Sequence, residues 1–187
     1  MIYAFAIVII LILLYLVMLY NGLVSKKNDV DYAFSGMDTM LKKRYDLLPN
    51  LVTLVKTYME HEKSTLVEVT ELRSRRDAPD LKPQEKEVLD SKVESAMNRV
   101  MLSVENYPTL KANQNFLKLQ AAWNKCEEQI AASRRAFNSA VTEYNSAFEQ
   151  FPGSQFAGIL KFERKRVFEI TEQERGNVSA KDLFAAK

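Results

Sequence analysis

A single cysteine, Cys126, and a single histidine, His61, stand in a chain of 187 residues. One cysteine excludes an internal disulfide, and it fits a reducing compartment. A zinc site needs several His, Cys or carboxylate ligands at defined spacing, and the sequence offers no such set. Glycines and prolines number five each, so long helices are permitted. Lys and Arg total 26 against 24 Asp and Glu. A dedicated nucleic-acid binder would show a strong basic excess, so that class is excluded. Gly-x-Ser-x-Gly, a phosphate loop and a dinucleotide fingerprint are all missing. The sequence therefore assigns no catalytic residue, no cofactor and no metal.

Charge is also missing where it matters most. Residues 1–20 read MIYAFAIVIILILLYLVMLY, without a charged, amide, hydroxyl-aliphatic, glycine or proline residue. Twenty helical residues reach ~30 Å, the thickness of a bilayer's hydrocarbon core. A soluble core helix would carry a polar stripe, and this one has none. A cleaved signal peptide would have a basic start, a shorter apolar core and a small-residue cleavage site. Leu19-Tyr20-Asn21-Gly22 is a poor site of that kind, so a retained span is expected over residues 1–21. The first basic residues, Lys26 and Lys27, follow the run. The positive-inside rule then puts the N-terminus outside and the remaining domain in the cytoplasm.

Beyond Gly22 the apolar positions take helical steps. Val30, Phe34, Met37, Leu41, Leu48, Leu51, Val55, Tyr58, Leu66, Val69 and Leu72 predict one long helix leaving the membrane, kinked at Pro49, with a turn there as the alternative. Asp77-Ala78-Pro79-Asp80-Leu81-Lys82 reads as a loop, and Pro83 opens a second helix. Leu89, Val93, Ala96, Met97, Val100 and Val104 form its stripe. A third helix is expected from about Leu110 to Phe151, with Phe116, Leu119, Trp123, Cys126, Ile130, Phe137, Val141, Tyr144, Phe148 and Phe151 facing the core. A short fourth helix fits Gln155 to Phe162, and Val167 to Ile170 alternate as an extended segment would. The fold class is all-α: an N-terminal transmembrane helix, then an elongated antiparallel up-and-down bundle of three long helices plus a short fourth. The expected domains are the anchor at 1–21, the bundle at 22–162 and a weakly ordered tail at 163–187.

His61-Glu62-Lys63-Ser64-Thr65-Leu66 faintly resembles a sensor-kinase phosphoacceptor segment, but no glycine-rich ATP lobe follows. A solvated helix histidine explains it better. Cys126 lies between Trp123 and Ile130 in an apolar stripe, which suits a buried structural thiol rather than a nucleophile. Arg44, Asn50, Glu105, Asn106, Asn113, Arg134, Asn138 and Asn145 interrupt otherwise apolar helices. Polar groups near a core must be paired, so a buried network joining the first and third helices is expected among them. Lys161, Arg164, Lys165 and Arg166 flank Phe162 and are candidates for contact with anionic lipid, although an exposed helix end accounts for them too.

Three blocks carry a family resemblance. They are Leu41-Lys42-Lys43-Arg44-Tyr45-Asp46-Leu47-Leu48-Pro49-Asn50-Leu51-Val52, running on to Val55-Lys56-Thr57-Tyr58 and His61-Glu62; Glu105-Asn106-Tyr107-Pro108-Thr109-Leu110-Lys111-Ala112-Asn113; and Arg134-Arg135-Ala136-Phe137-Asn138-Ser139-Ala140-Val141 with Tyr144-Asn145 and Phe151-Pro152. In order and spacing they resemble the LemA family over about Met1 to Phe162, with Phe137 where that family usually has tyrosine. The resemblance implies a bacterial inner-membrane protein with one span and an up-and-down four-helix bundle. It also implies no established enzymatic activity, and one related branch takes part in magnetosome formation. The expected function is a membrane-anchored, non-enzymatic scaffold with an unidentified protein partner. The alternative is a homo-oligomer that shapes the membrane. Arg44, Asp46, Asn50, Lys56, Glu62, Glu105, Asn106 and Lys111 are the candidate partner-binding positions.

Overall fold

The computed structural model describes residues 1–59, 63–76, 83–157 and 162–168. Its elements are α1 (Ile2–Lys56), α2 (Lys63–Arg76), α3 (Pro83–Val104), α4 (Pro108–Lys111), α5 (Gln114–Glu149) and α6 (Gly153–Ala157). Among the described residues every regular element is a helix. The protein is a long apolar N-terminal helix followed by a helical bundle, as the periodicity requires.

The chain forms two compact units. The first comprises Met1–Asp46 with Gln120–Val167. In it, α1 and α5 run antiparallel: Met40 and Arg44 meet Cys126 and Glu127, Phe34 meets Phe137, and Lys26 meets Glu143. The seam on α1 repeats in steps of three and four, the spacing of a heptad. Leu23, Val30, Met37, Leu41 and Tyr45 are buried there. On α5 the matching positions are Trp123, Cys126, Ile130, Val141 and Tyr144. Val30, Val141 and Tyr144 form a cluster sealed by Phe137, Ala140 and Phe162. Phe137 rests on the Phe34 ring at 5.9 Å. A tyrosine there would carry a hydroxyl into this apolar contact, so phenylalanine suits it.

The second unit is built on Leu47–Leu119. Here α2 packs against α3, and Arg99 on α3 donates to Glu68 on α2 at 2.6 Å. The stripe expected on α3 is buried throughout, from Leu89 to Val104. Leu48, Leu51, Val55, Leu66, Val69 and Leu72 are buried as well.

Pro49 lies inside α1, so the chain passes through it as helix and makes no turn. Its ring nitrogen simply gives the Tyr45 carbonyl no hydrogen bond. The expected long first helix is instead divided after Lys56. The amides of Thr57 and Tyr58 bond back three residues, to Leu54 and Val55, which tightens the last turn and ends the helix. The third helix starts later than expected. Tyr107-Pro108 opens the separate one-turn α4, and Asn113 then caps α5: its Oδ1 accepts from the amides of Asn115 at 2.8 Å and Phe116 at 3.3 Å. The short fourth helix, expected over Gln155 to Phe162, is α6 at Gly153–Ala157; residues 158–161 lie outside the described residues, and Phe162 is not helical. Phe151, expected in the core, is 82% exposed because α5 stops at Glu149. Of the polar candidates, His61, Glu62 and Lys161 lie outside the described residues.

Candidate functional site

The polar candidates sort by the unit that holds them. In the first unit, Arg44 occupies a seam position of α1 and is completely buried. Its Nη1 faces Glu127 Oε1 on α5 at 3.4 Å, and its guanidinium lies 5.8 Å from the Tyr45 ring centre. Glu127 keeps partial solvent access. This pair joins the first and third long helices across a mainly apolar seam. One turn away, the Cys126 thiol donates to the Met40 carbonyl at 3.6 Å. Burial pushes that thiol up, and neighbouring Glu127 adds to the effect. A thiol held protonated is a poor nucleophile.

At the other end of the seam, Lys26 and Glu143 pair at 2.5 Å. The hydrogen bond and the opposite charge raise the lysine and lower the glutamate from their ordinary values. Both side chains are well exposed, so the pair fixes register more than it adds stability.

Residues 162–167 form a strap across this unit. The buried Asn145 amide brackets one backbone residue: Nδ2 donates to the Lys165 carbonyl at 2.9 Å, and the Lys165 amide donates to Oδ1 at 3.0 Å. The Tyr144 hydroxyl donates to the Glu163 carbonyl at 3.0 Å, and burial raises that phenol. Lys165 Nζ reaches Asp31 on α1 at 2.5 Å and lies over the Tyr144 ring. Arg164 pairs with Glu149 at 3.3 Å, and Phe162 packs on the rings of Tyr20 and Tyr144. Asn145 therefore serves the strap. Arg134 and Asn138 are half-buried on the same helix. Arg164 and Arg166 are exposed, while Lys165 is partly covered.

Asp46 on α1 belongs to the first unit and is exposed; in the second unit, Asn50 on α1 is exposed too. Lys56 is exposed beside an open, mainly apolar cavity of about 480 Å³, shared with Val52, Leu66, Val67, Thr70 and Glu71. Glu105 and Asn106 are exposed where α3 ends, and Glu105 pairs with Lys111. Asn113 caps α5 with one end of its amide and donates to the Tyr58 hydroxyl at 2.9 Å with the other. These residues do not converge on one reaction centre. Among the described residues, no three His, Cys, Asp or Glu side chains are grouped to hold a metal.

Sequence reasoning missed the partners rather than the candidates. The pairings of Arg44 with Glu127, Lys26 with Glu143, Lys165 with Asp31 and Asn113 with Tyr58 were not assigned from the sequence, nor was the burial of Asp90 on α3. A signal existed for two of them: Lys26 and Arg44 stand on the seam stripe, where a charge requires an opposite charge on the facing helix.

The family model described as LemA family matches residues 33–181. Protein LemA of Metamycoplasma hominis is 26% identical over 163 residues, which is 87% of this chain and 74% of that protein. Magnetosome protein MamQ of Magnetospirillum gryphiswaldense is 26% identical over 178 residues, and Magnetosome protein MamQ 2 of Paramagnetospirillum magneticum is 25% identical over 179. Each magnetosome match covers 82% of this chain and only about two thirds, 65% and 66%, of the relative's own length.

Proposed function

Since this chain belongs to the LemA family, we propose that it is a membrane-anchored helical scaffold without enzymatic activity, which holds a protein partner at the bacterial inner membrane. One observation carries the reading. Large apolar side chains from Ile2 to Tyr20 are exposed on α1, and the same helix becomes a buried seam from Leu23 onward. The stretch is long and apolar enough to cross a bilayer. A span continuous with a bundle helix places the bundle at the membrane surface, and tethering there raises the effective concentration of a partner.

The finer parts of the proposal have separate support. Lys26 and Lys27 after the span favour an external N-terminus and a cytoplasmic bundle. The buried Cys126, whose thiol burial pushes up, supports a non-catalytic role. The partner surface we favour includes Lys56 and the apolar cavity beside it, with Asn50, Glu105, Asn106 and Lys111 as further exposed family-block residues of the second unit; Asp46, exposed in the first, is a separate candidate. Being fully buried, Arg44 belongs to the core instead.

Affinity purification of the detergent-solubilised chain tests this. A specific co-purifying membrane protein, lost on Lys56→Glu, supports the scaffold. Recovery of neither a partner nor a self-assembly rejects it. The second reading, a homo-oligomer that shapes anionic membranes, draws on the exposed Arg164 and Arg166 in the strap beside Tyr20. Unchanged vesicles at high protein density would reject that reading.

A further inference from the structure

Phe151 poses a physical problem. It falls on the heptad series of α5, seven residues after Tyr144, yet it is 82% exposed just past the helix end. A large aromatic left in water is unfavourable by ~1.5–3 kcal/mol relative to burial. Its height along the first unit suggests what covers it.

In an antiparallel pair, each residue gained on α5 is one lost on α1. Lys26 meets Glu143, so Glu149, six residues on, is level with Tyr20 (26 − 6). Phe34 meets Phe137, so by that pair Glu149, twelve residues on, is level with Gly22 (34 − 12). Phe151 lies two residues further, level with Met18 to Tyr20, inside the last turn of the apolar run. Two independent contacts agree with this height. Phe162 packs on Tyr20 at 6.2 Å, and Arg164, two residues later, pairs with Glu149. The covering of α1 agrees as well. Leu16 and Leu19 are the two residues among 1–20 that are not fully exposed, and they lie on the face that continues to buried Leu23. The bundle therefore reaches down to the level where the span enters lipid.

We propose that the corner between α5 and α6, led by Phe151, seats in the interfacial layer of the same bilayer that α1 crosses, giving the protein a second membrane contact beside its span. The inference rests on reading α1 as a span. The occupant is phospholipid, because the apolar surface of α1 at this level is itself lipid-facing and Phe151 stands exposed at the same level. An aromatic ring at headgroup depth is favourable, and exposed Arg164 stands beside it at phosphate height. Two contacts resist tilting where one span alone allows it.

The test is fluorescence quenching in vesicles made with phospholipids brominated near the carbonyl end of their chains. The full chain carries Phe151→Trp in addition to its native Trp123. Trp123, by the same register, stands level with residue 46 and thus roughly 40 Å above Tyr20 along the helix, out of reach of the bromines. Phe151 is exposed, so the substitution leaves the core intact. A companion chain carries Tyr15→Trp inside the span. We expect the native chain to be unquenched and both variants to lose roughly a third or more of their emission. Quenching of Tyr15→Trp without quenching of Phe151→Trp overturns the second contact and leaves the span standing. A blue-shifted but unquenched Trp at 151 also overturns it, since protein would then cover the ring. Quenching of neither variant removes the span itself, and this inference with it.

Discussion

Replacing Asn145 should release the strap without unfolding the helices beneath it. Its side chain makes two bonds to a single backbone residue, one to the Lys165 carbonyl and one from the Lys165 amide. A net protein hydrogen bond contributes ~0.5–1.5 kcal/mol, so Asn145→Ala removes ~1–3 kcal/mol from the docking of residues 162–167. At ~1.4 kcal/mol per factor of ten, the open state becomes about 5- to 150-fold more populated. The Lys165 amide reports this directly, because it is itself the donor. Hydrogen exchange at that amide should accelerate by the same factor, while amides in the middle of α5 stay unchanged. Asn145→Asp separates the two bonds. It keeps an acceptor for the Lys165 amide, loses the donor and sets a carboxylate against the Lys165 carbonyl. Exchange in that variant should fall between the native chain and Asn145→Ala. If Asn145→Ala left the Lys165 amide within twofold of its native rate, the bracket would not hold the strap. Uniform acceleration along α5 would show that Asn145 is a core residue and not a clasp.

Glu127→Ala should destabilise by about 2 kcal/mol, because it removes a partner from the fully buried Arg44; a fall of roughly 4–8 °C in thermal midpoint, followed by circular dichroism in detergent, checks it. Asn113→Ala should cost ~1 kcal/mol or more through the lost cap of α5, and Tyr58→Phe, which removes only the side-chain acceptor, should cost less in the same assay. The Lys26–Glu143 pair sets a pH window. Glu143 is lowered in the fold, so its contribution is present above the ordinary glutamate range and is lost as pH falls through its depressed value. Lys26 is raised, so its contribution persists below the ordinary lysine range and is lost only as pH rises through the elevated value. Glu143→Gln should flatten the acid limb of the midpoint-versus-pH curve, and an unchanged limb would refute the assignment. Cys126 should react with a maleimide at neutral pH only after denaturation, since it is buried and burial pushes its thiol up.

The pattern of periods explains what the sequence could disclose. A stripe in steps of three and four is a local signal, so Val30, Met37 and Leu41 on α1 and the whole apolar face of α3 were legible as core. Pro83 marked the start of α3 because a proline at the first position sacrifices no hydrogen bond. Helix ends were harder. Nothing between Thr57 and Lys63 breaks a helix chemically; α1 ends there as its final amides bond three residues back, and Tyr58 finds its partner at Asn113, 55 residues away. The late start of α5 was nearer to legible, since Asn113 is a good cap and Pro108 sits just upstream. The strap was out of reach. Its clasp joins Asn145 to backbone atoms of Lys165, and backbone atoms leave no mark on a sequence. The arginine at 44 was visible as an anomaly, while its partner Glu127 was hidden among many carboxylates on solvated faces.

The seam also bears on how the anchor and the first unit are coupled. Leu16, Leu19 and Leu23 begin the series that Val30, Met37 and Arg44 continue, in one phase and on one helix. A flexible joint would need an interruption of the helix where the apolar run stops. Gly22 stands at that point, but α1 runs through it, and a β-carbon built there meets nothing within 4 Å. Gly22→Ala is therefore sterically free. It should stabilise the helix by up to ~1 kcal/mol by narrowing the unfolded chain's freedom. If the scaffold works with its bundle held rigidly on the span, this substitution leaves partner capture unchanged. Loss of capture with raised thermal stability would show that bending at Gly22 is part of the function, and that continuity of the helix is only its resting state.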